Sequence, residues 1–174
     1  MSEKQGDERG NVRRLARGEQ GKLDVLGILL ELKIGEAETG GHYSLFEAVV
    51  PPGAGVPLHQ HAQQEAFYVL EGQSQFCRMG ASGAEWIDVG PGDTISIPGG
   101  AMHGFRNPGP AAVRLLITCA QGMEAFFCEA GVSVAAGSPA PSGPPSPEDI
   151  DRVIGIAIRH GQTFAPPETM PSVA

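Results

Sequence analysis

Short apolar runs separated by turns rich in glycine and proline follow one another along the chain as far as residue 120. The segment DTISIP alternates apolar and polar residues with the period of two that is typical of a strand with one buried face. The run LDVLGILLELKI, which starts at Leu23, fits a strand or a short buried helix, and we favour the strand. About nine strands fit between residues 23 and 120, so we predict an all-β antiparallel meander or jelly roll.

The pattern becomes helical after the last strand. GMEAFFCEAG predicts a short helix that ends at Gly131. The strongest helix signal follows Ser146, which can cap a helix that has Pro147 in its first position and Gly161 at its end. Apolar residues of this helix recur at steps of three and four and form one stripe, which consists of Ile150, Val153, Ile154, Ala157 and Ile158. This stripe has to pack on its own barrel or on that of a neighbour.

A chain of 174 residues is long enough for one domain with a buried core and too short for two full ones. A charged segment without periodicity precedes the strands, and a segment rich in Pro, Ser and Gly precedes the last helix. We therefore predict a flexible N-terminal arm over 1–20, a barrel with its following short helix over 21–131, a linker over 132–146, and a C-terminal helix and tail over 147–174.

The charge of the chain limits its partners. A net charge of -8, from 12 basic and 20 acidic residues, would repel a phosphate backbone, so we expect no nucleic acid partner. No apolar stretch approaches the roughly 20 residues of a membrane span, and the charged N-terminus lacks the apolar centre of a signal peptide. We therefore expect a cytoplasmic protein that does not bind membranes.

The chain has three cysteines, Cys77, Cys119 and Cys128. Because their number is odd and they lack CxxC spacing, we expect buried thiols rather than disulfides or metal ligands.

Three of the five histidines fall in two segments with glycines at fixed offsets. In the first segment, Gly53, His59, His61, Glu65 and Gly72 are separated by five, one, three and six residues. In the second segment, Gly92, Pro98, Gly100, His103 and Asn107 are separated by five, one, two and three residues. The other two histidines, His42 and His160, lie outside both segments, and we expect no direct role for them.

The spacing of these histidines has a physical meaning. On a strand His59 and His61 would point to the same face, because side chains alternate with a period of two. Glu65 starts the next strand and can return a carboxylate to the same point, while His103 arrives from a separate hairpin. Three imidazoles and one carboxylate suit one divalent transition metal, such as Fe, Mn, Co, Ni, Cu or Zn, and suit Mg or Ca poorly. We therefore predict His59, His61, Glu65 and His103 as metal ligands.

The ten motif positions resemble the two signature motifs of the cupin superfamily. This resemblance implies a cupin jelly-roll β-barrel that holds the metal inside it, and often a homodimer. The 19 residues between Gly72 and Gly92 are few, as in compact single-barrel cupins, or monocupins. The glycines and Pro98 are expected to shape turns, and Asn107 to tie its own turn to its neighbours.

Four protein ligands leave open positions on a metal, and an open position separates a catalytic or ligand-binding site from a structural one. By strand alternation, Phe67 and Val69 share the face of Glu65, and Phe105 shares that of His103. These three side chains are candidates for an apolar substrate pocket. The alternative is that they belong to the ordinary core of the barrel.

A narrower resemblance concerns the reaction. A barrel followed by GMEAFFCEAG, a Pro-rich linker and a helix ending in RHGQTFAPP is similar to bacterial cupins of the quercetin 2,3-dioxygenase type. The resemblance implies a dioxygenase that uses O2 on a small aromatic or enolic metabolite, with Glu65 as both metal ligand and catalytic general base. Two alternatives remain open: a cupin cyclase or isomerase of the aromatic polyketide type, which consumes no O2, and a non-enzymatic cupin that binds a small molecule.

Overall fold

The computed structural model describes residues 12–16, 19, 21–135 and 144–171. The strands in this part of the chain are β1 (Lys22–Val25), β2 (Ile28–Ile34), β3 (Tyr43–Val50), β4 (Gly55–Gln60), β5 (Glu65–Glu71), β6 (Ser74–Gly80), β7 (Gly83–Val89), β8 (Thr94–Ile97), β9 (His103–Arg106), β10 (Val113–Ala120), β11 (Val132–Val134) and β12 (Thr163–Phe164). The helices are α1 (Met123–Ala130), α2 (Pro147–Arg159) and two short 3-10 turns at Glu36–Thr39 and Pro167–Thr169. Within the described residues, no helix is both long and apolar enough to cross a bilayer.

The strands form two antiparallel sheets. The larger sheet has the strand order β11, β1, β2, β3, β10, β5, β8, and the smaller one has the order β12, β4, β9, β6, β7. The chain passes from the smaller to the larger sheet between β4 and β5, where the first motif lies. Two sheets that exchange strands in this way are a jelly roll, which confirms the predicted all-β fold with a short helix after the barrel and a helix near the C-terminus.

Apolar side chains on the inner faces of the two sheets form the core. On β3, Phe46, Ala48 and Val50 have no exposed surface, while the residues between them are partly accessible. Val113 and Leu115 on β10 are likewise fully buried. This alternation is the expected result of a strand that has one face in a core, and it explains why the sequence pattern identified these strands.

The predicted first strand is in fact a hairpin. Leu26 and Gly27 both have positive φ values, 53° and 88°, and join β1 to β2. Such a pair is typical of tight hairpin turns. The carboxylate of Asp24 accepts a hydrogen bond of 2.7 Å from the backbone N–H of Gly27 and stabilises the turn. Because Leu26 is an unusual turn residue, the apolar run concealed the break, and ten strands rather than nine lie between residues 22 and 120.

The helix α2 begins as predicted, but its buried stripe differs. Ser146 caps the helix by accepting the backbone N–H of Asp149 at 3.1 Å. Ile158, which the pattern placed in the stripe, is 59% exposed, and Ile156 is buried instead. In an α-helix Ile158 lies about 140° around the axis from the buried Val153, whereas Ile156 lies only about 60° away. The stripe packs on the same chain, where Val153, Ile156 and Ala157 join the barrel core.

The described structure shifts one predicted domain boundary. Residues 132–134, assigned to the linker from sequence, form β11, which pairs with β1 at the edge of the larger sheet. The barrel unit therefore extends past 131. Most of the predicted arm over 1–20, and residues 136–143 of the predicted linker, lie outside the described residues.

The cysteines are free thiols, and two of the three are buried as expected. Cys77 and Cys119 lie in the barrel, on β6 and β10. Cys128 is exposed, so the prediction of burial was wrong for this residue. It lies two positions after the buried Phe126 on α1, and two positions on a helix correspond to about 200°, which is the opposite side.

Candidate metal centre

Strand pairing brings two of the predicted ligands together. In the smaller sheet β4 and β9 are antiparallel neighbours, and His59 lies directly opposite His103, with ring centroids 4.3 Å apart. His61 lies one residue beyond the end of β4, and not on the strand as predicted. The carbonyl of His61 accepts the backbone N–H of Gly100 at 2.7 Å, which fixes the connection. Its ring centroid is 5.1 Å from that of His103, so the three imidazoles face one point.

Each of the three imidazoles is held by a backbone carbonyl two residues away. The Nδ1 atoms of His59, His61 and His103 lie 2.9, 3.0 and 2.8 Å from the carbonyl oxygens of Pro57, Gln63 and Ala101. A carbonyl oxygen can only accept, so each Nδ1 carries the hydrogen and each Nε2 keeps a free lone pair. This tautomer, fixed by a hydrogen bond on the other ring nitrogen, is the one that metal-binding histidines require.

The three histidines fit a divalent transition metal. All three are buried, and their ligand nitrogens lie within 4.8 Å of one another. Within the described part of the chain, the Nε2 atoms of His61 and His103 are buried without a hydrogen-bond partner. An unsatisfied buried polar atom costs about 1–3 kcal/mol, and a cation bound by both lone pairs would remove this cost. Nitrogen ligands of this kind select transition metals over Mg or Ca.

Glu65 borders this group from the other sheet. It is the first residue of β5, and its Oε2 lies 3.4 Å from the Nε2 atoms of both His61 and His103. Its cross-strand neighbour on β10 is Cys119, whose thiol donates a hydrogen bond of 3.5 Å to Oε1. The carboxylate is therefore held between a thiol and two imidazoles, with Oε2 available to a cation at the histidines.

The electrostatic environment sets the protonation of these groups. Burial by itself would raise the pKa of Glu65, but the imidazoles of His103 and His61, whose Nε2 atoms lie 3.4 Å from the carboxylate, lower it to about 2. Burial, reinforced by the neighbouring His103, lowers the pKa of His59 to about 4. At neutral pH the carboxylate is therefore ionised and His59 is neutral, which are the forms that bind a metal. Burial and the charge of Glu65 raise the pKa of Cys119, which remains a thiol.

A cavity of about 750 Å³ adjoins the cluster, and His59, Glu65 and His103 form part of its wall. Phe67 and Phe105, two of the predicted pocket residues, line it as well. The third, Val69, is fully buried in the barrel core and does not contribute to the wall. Side chains from α1 and α2 form another part of the wall, namely Met123, Phe126, Phe127, Ile150, Val153, Ile154 and Ala157. This volume and largely apolar wall suit a small aromatic molecule.

The sequence prediction missed two residues of this cavity, Gln162 and Phe164. Phe164 on β12 pairs with His59 on β4, and their rings are stacked with centroids 6.0 Å apart. Gln162 is 4% exposed and also lines the cavity. Both residues follow α2, more than 50 positions after the last motif histidine, so no motif spacing indicated them. The segment RHGQTFAPP, which contains both residues, entered the sequence analysis only through a family resemblance that assigned them no role.

The remaining motif residues shape turns, as expected. Gly100, with φ of 80°, holds the connection at His61, and Gly72, with φ of 84°, packs so closely that an added Cβ would lie 3.0 Å from Val113. The side chain of Asn107 donates to the carbonyls of Val50 and Ala111 at 3.0 and 2.8 Å. Asn107 therefore ties the turn after β9 to the end of β3. His42 and His160 do not belong to the cluster formed by His59, His61 and His103.

Comparison with known proteins agrees with this architecture. The family described as a Cupin domain matches residues 46–119, a span that includes all four predicted ligands. An uncharacterized protein of Methanocaldococcus jannaschii is 34% identical over 90 residues, which are 51% of this chain and 69% of that protein. The chain belongs to the cupin superfamily.

Solved structures with a similar fold include a cyclase and a predicted decarboxylase. The polyketide cyclase RemF from Streptomyces resistomycificus has a TM-score of 0.54 and 26% identity, over 63% of this chain and 79% of RemF. A predicted oxalate decarboxylase from Thermotoga maritima has a TM-score of 0.56 and 18% identity, over 63% of this chain and 99% of that one. At 18% identity the second likeness concerns the fold alone.

Proposed function

We propose that this protein is a metal-dependent cupin dioxygenase that acts on a small aromatic or enolic metabolite. One observation carries the proposal. Three imidazoles with free Nε2 lone pairs lie beside an ionised carboxylate, and His59, His103 and Glu65 form part of the wall of a largely apolar cavity of about 750 Å³. A divalent transition metal held by His59, His61, His103 and Glu65 would act as a Lewis acid toward an oxygen atom of the substrate and would mediate its reaction with O2.

The side chains of the cavity have separate roles in this proposal. Glu65 accepts the proton of an enolic or phenolic hydroxyl, because its carboxylate is ionised at neutral pH. Phe67 and Phe105 pack against the substrate ring and exclude water. O2 is the oxidant, and both of its atoms enter the product as the substrate ring opens.

A cyclase or isomerase is the second candidate. The observation that favours it is the similarity to the polyketide cyclase RemF, at 26% identity. In this case Glu65 removes a proton next to a carbonyl group and returns it elsewhere, and the substrate and product have the same oxidation state. The same four ligands and the same cavity serve both reactions, so the consumption of O2 distinguishes them.

Turnover with and without O2 tests the proposal. Protein loaded in turn with Fe, Mn, Co, Ni, Cu and Zn is incubated with flavonols, β-diketones and polycyclic polyketides, while O2 uptake and substrate loss are recorded. We expect O2 uptake equal to substrate loss with at least one metal. Turnover under anaerobic conditions would assign the cyclase or isomerase instead. A compound that binds and is recovered unchanged with every metal would contradict both enzymes and indicate a binding protein.

A further inference from the structure

Gln162 is a polar residue in the apolar part of the cavity wall. It follows α2, and its backbone N–H donates to the carbonyl of Ala157 at 3.0 Å. The residue is only 4% exposed, yet it lines the cavity together with His59 and Phe164. Phe164 lies two positions further along the chain, on β12, and both side chains line the same cavity.

The amide of Gln162 is incompletely satisfied. Within the described residues, its Nε2 atom is buried without a hydrogen-bond partner. Most residues that share the cavity wall are apolar, including Val153, Ile154 and Ala157 on the preceding helix. A methionine would fill a similar volume here without leaving a donor unpaired, so the glutamine does not serve the stability of the free protein. Residues that break a packing rule in this way are expected at functional positions.

We propose that Gln162 is a ligand-recognition residue, whose amide donates a hydrogen bond to a carbonyl or enolate oxygen of an aromatic ligand. The terminal torsion of a glutamine side chain is broad and roughly two-fold, so the amide can turn its NH₂ group toward the cavity. A ligand oxygen then supplies the partner that Nε2 lacks. The inference rests on the proposed function, because it specifies the class of substrate for the same cavity. It concerns binding alone, however, and does not require the metal.

Two probes that differ in one oxygen test this inference. Xanthone and xanthene have the same three fused rings, and only xanthone has a carbonyl group. Binding of both is measured by fluorescence titration with the metal-free full-length protein, so that no metal contributes. We expect wild type to prefer xanthone. Gln162→Met should weaken xanthone binding about tenfold, which corresponds to about 1.4 kcal/mol, and leave xanthene binding unchanged. Gln121→Met, at an exposed position outside the cavity, is the matched control.

The thermal stability of the ligand-free variant provides a second readout. Because Gln162→Met removes a buried unpaired donor, we expect its Tm to be equal to or higher than that of wild type. Gln162→Leu serves the same purpose if the methionine variant does not fold. Wild type that fails to prefer xanthone would overturn the inference. If the variants bind xanthone and xanthene with equally reduced affinity, Gln162 has a packing role, and this result would also overturn the inference. Absence of turnover with every substrate would refute the proposed enzyme and leave this binding result standing.

Discussion

In the proposed reaction Glu65 has to meet two demands with one side chain, since its carboxylate would both hold a cation and accept a proton. Glutamine has the same shape and keeps an oxygen toward His61 and His103, but it cannot take up the proton. We therefore expect Glu65→Gln to retain much of its metal, as measured by elemental analysis, and to lose turnover by about 10²- to 10⁴-fold. His42→Ala, at an exposed position outside the cluster, should retain both. Full turnover in Glu65→Gln would leave the metal site intact and refute the general base.

For single residues, the sequence predicted the site best where the position of a side chain depends on local spacing. His59, His61, Glu65 and His103 lie in two short segments whose glycines recur at fixed offsets, so their convergence could be predicted. Gln162 could not be found in this way, because its place in the cavity results from how α2 and β12 pack on the barrel. Packing of this kind depends on long-range contacts that no local pattern encodes.

Among the elements, α2 provides the clearest test of a buried face. Ile156 is 5% exposed and Ile158 is 59% exposed, although both are isoleucines on the same helix. We expect Ile156→Ala to lower the free energy of unfolding by about 2–5 kcal/mol, because it leaves a cavity in the core. Ile158→Ala should change it by less than about 0.5 kcal/mol. Urea denaturation of the two variants measures both values, and equal effects would contradict the docking of α2.

Two predictions about single elements were corrected by the structure, the single strand that is the β1–β2 hairpin and the buried stripe of α2. Both errors have a common physical cause. The apolar run from Leu23 to Ile34 concealed the turn at Leu26 and Gly27, because apolar residues on both sides of a hairpin can face the same core. In α2, four isoleucines fit more than one stripe, and the barrel decides which of them is buried. The period of apolar residues identifies a strand or helix and its type. The surface on which the element packs determines where it is interrupted and which face is buried.

At the scale of the whole molecule, the barrel buries groups whose protonation is linked to folding. The pKa of His59 is lowered by burial, and by the charge of His103, from 6.5 to about 4 in the folded protein. Between these two pH values the unfolded chain binds more protons than the folded one, so stability falls as the pH falls from about 6.5 to about 4. Glu65, whose pKa is about 2 instead of 4.5, extends the loss of stability to lower pH.

We therefore expect the metal-free protein to lose about 3 kcal/mol of unfolding free energy from His59 between pH 6.5 and pH 4. His59→Asn has no titrating group at this position, so its stability should depend much less on pH between 6.5 and 4.5. Urea denaturation of both proteins after treatment with a chelator, at half-unit steps of pH, measures the difference. If the unfolding free energy of both proteins has the same dependence on pH above 4.5, His59 is not a buried neutral group. A metal ligand at this position has to be one.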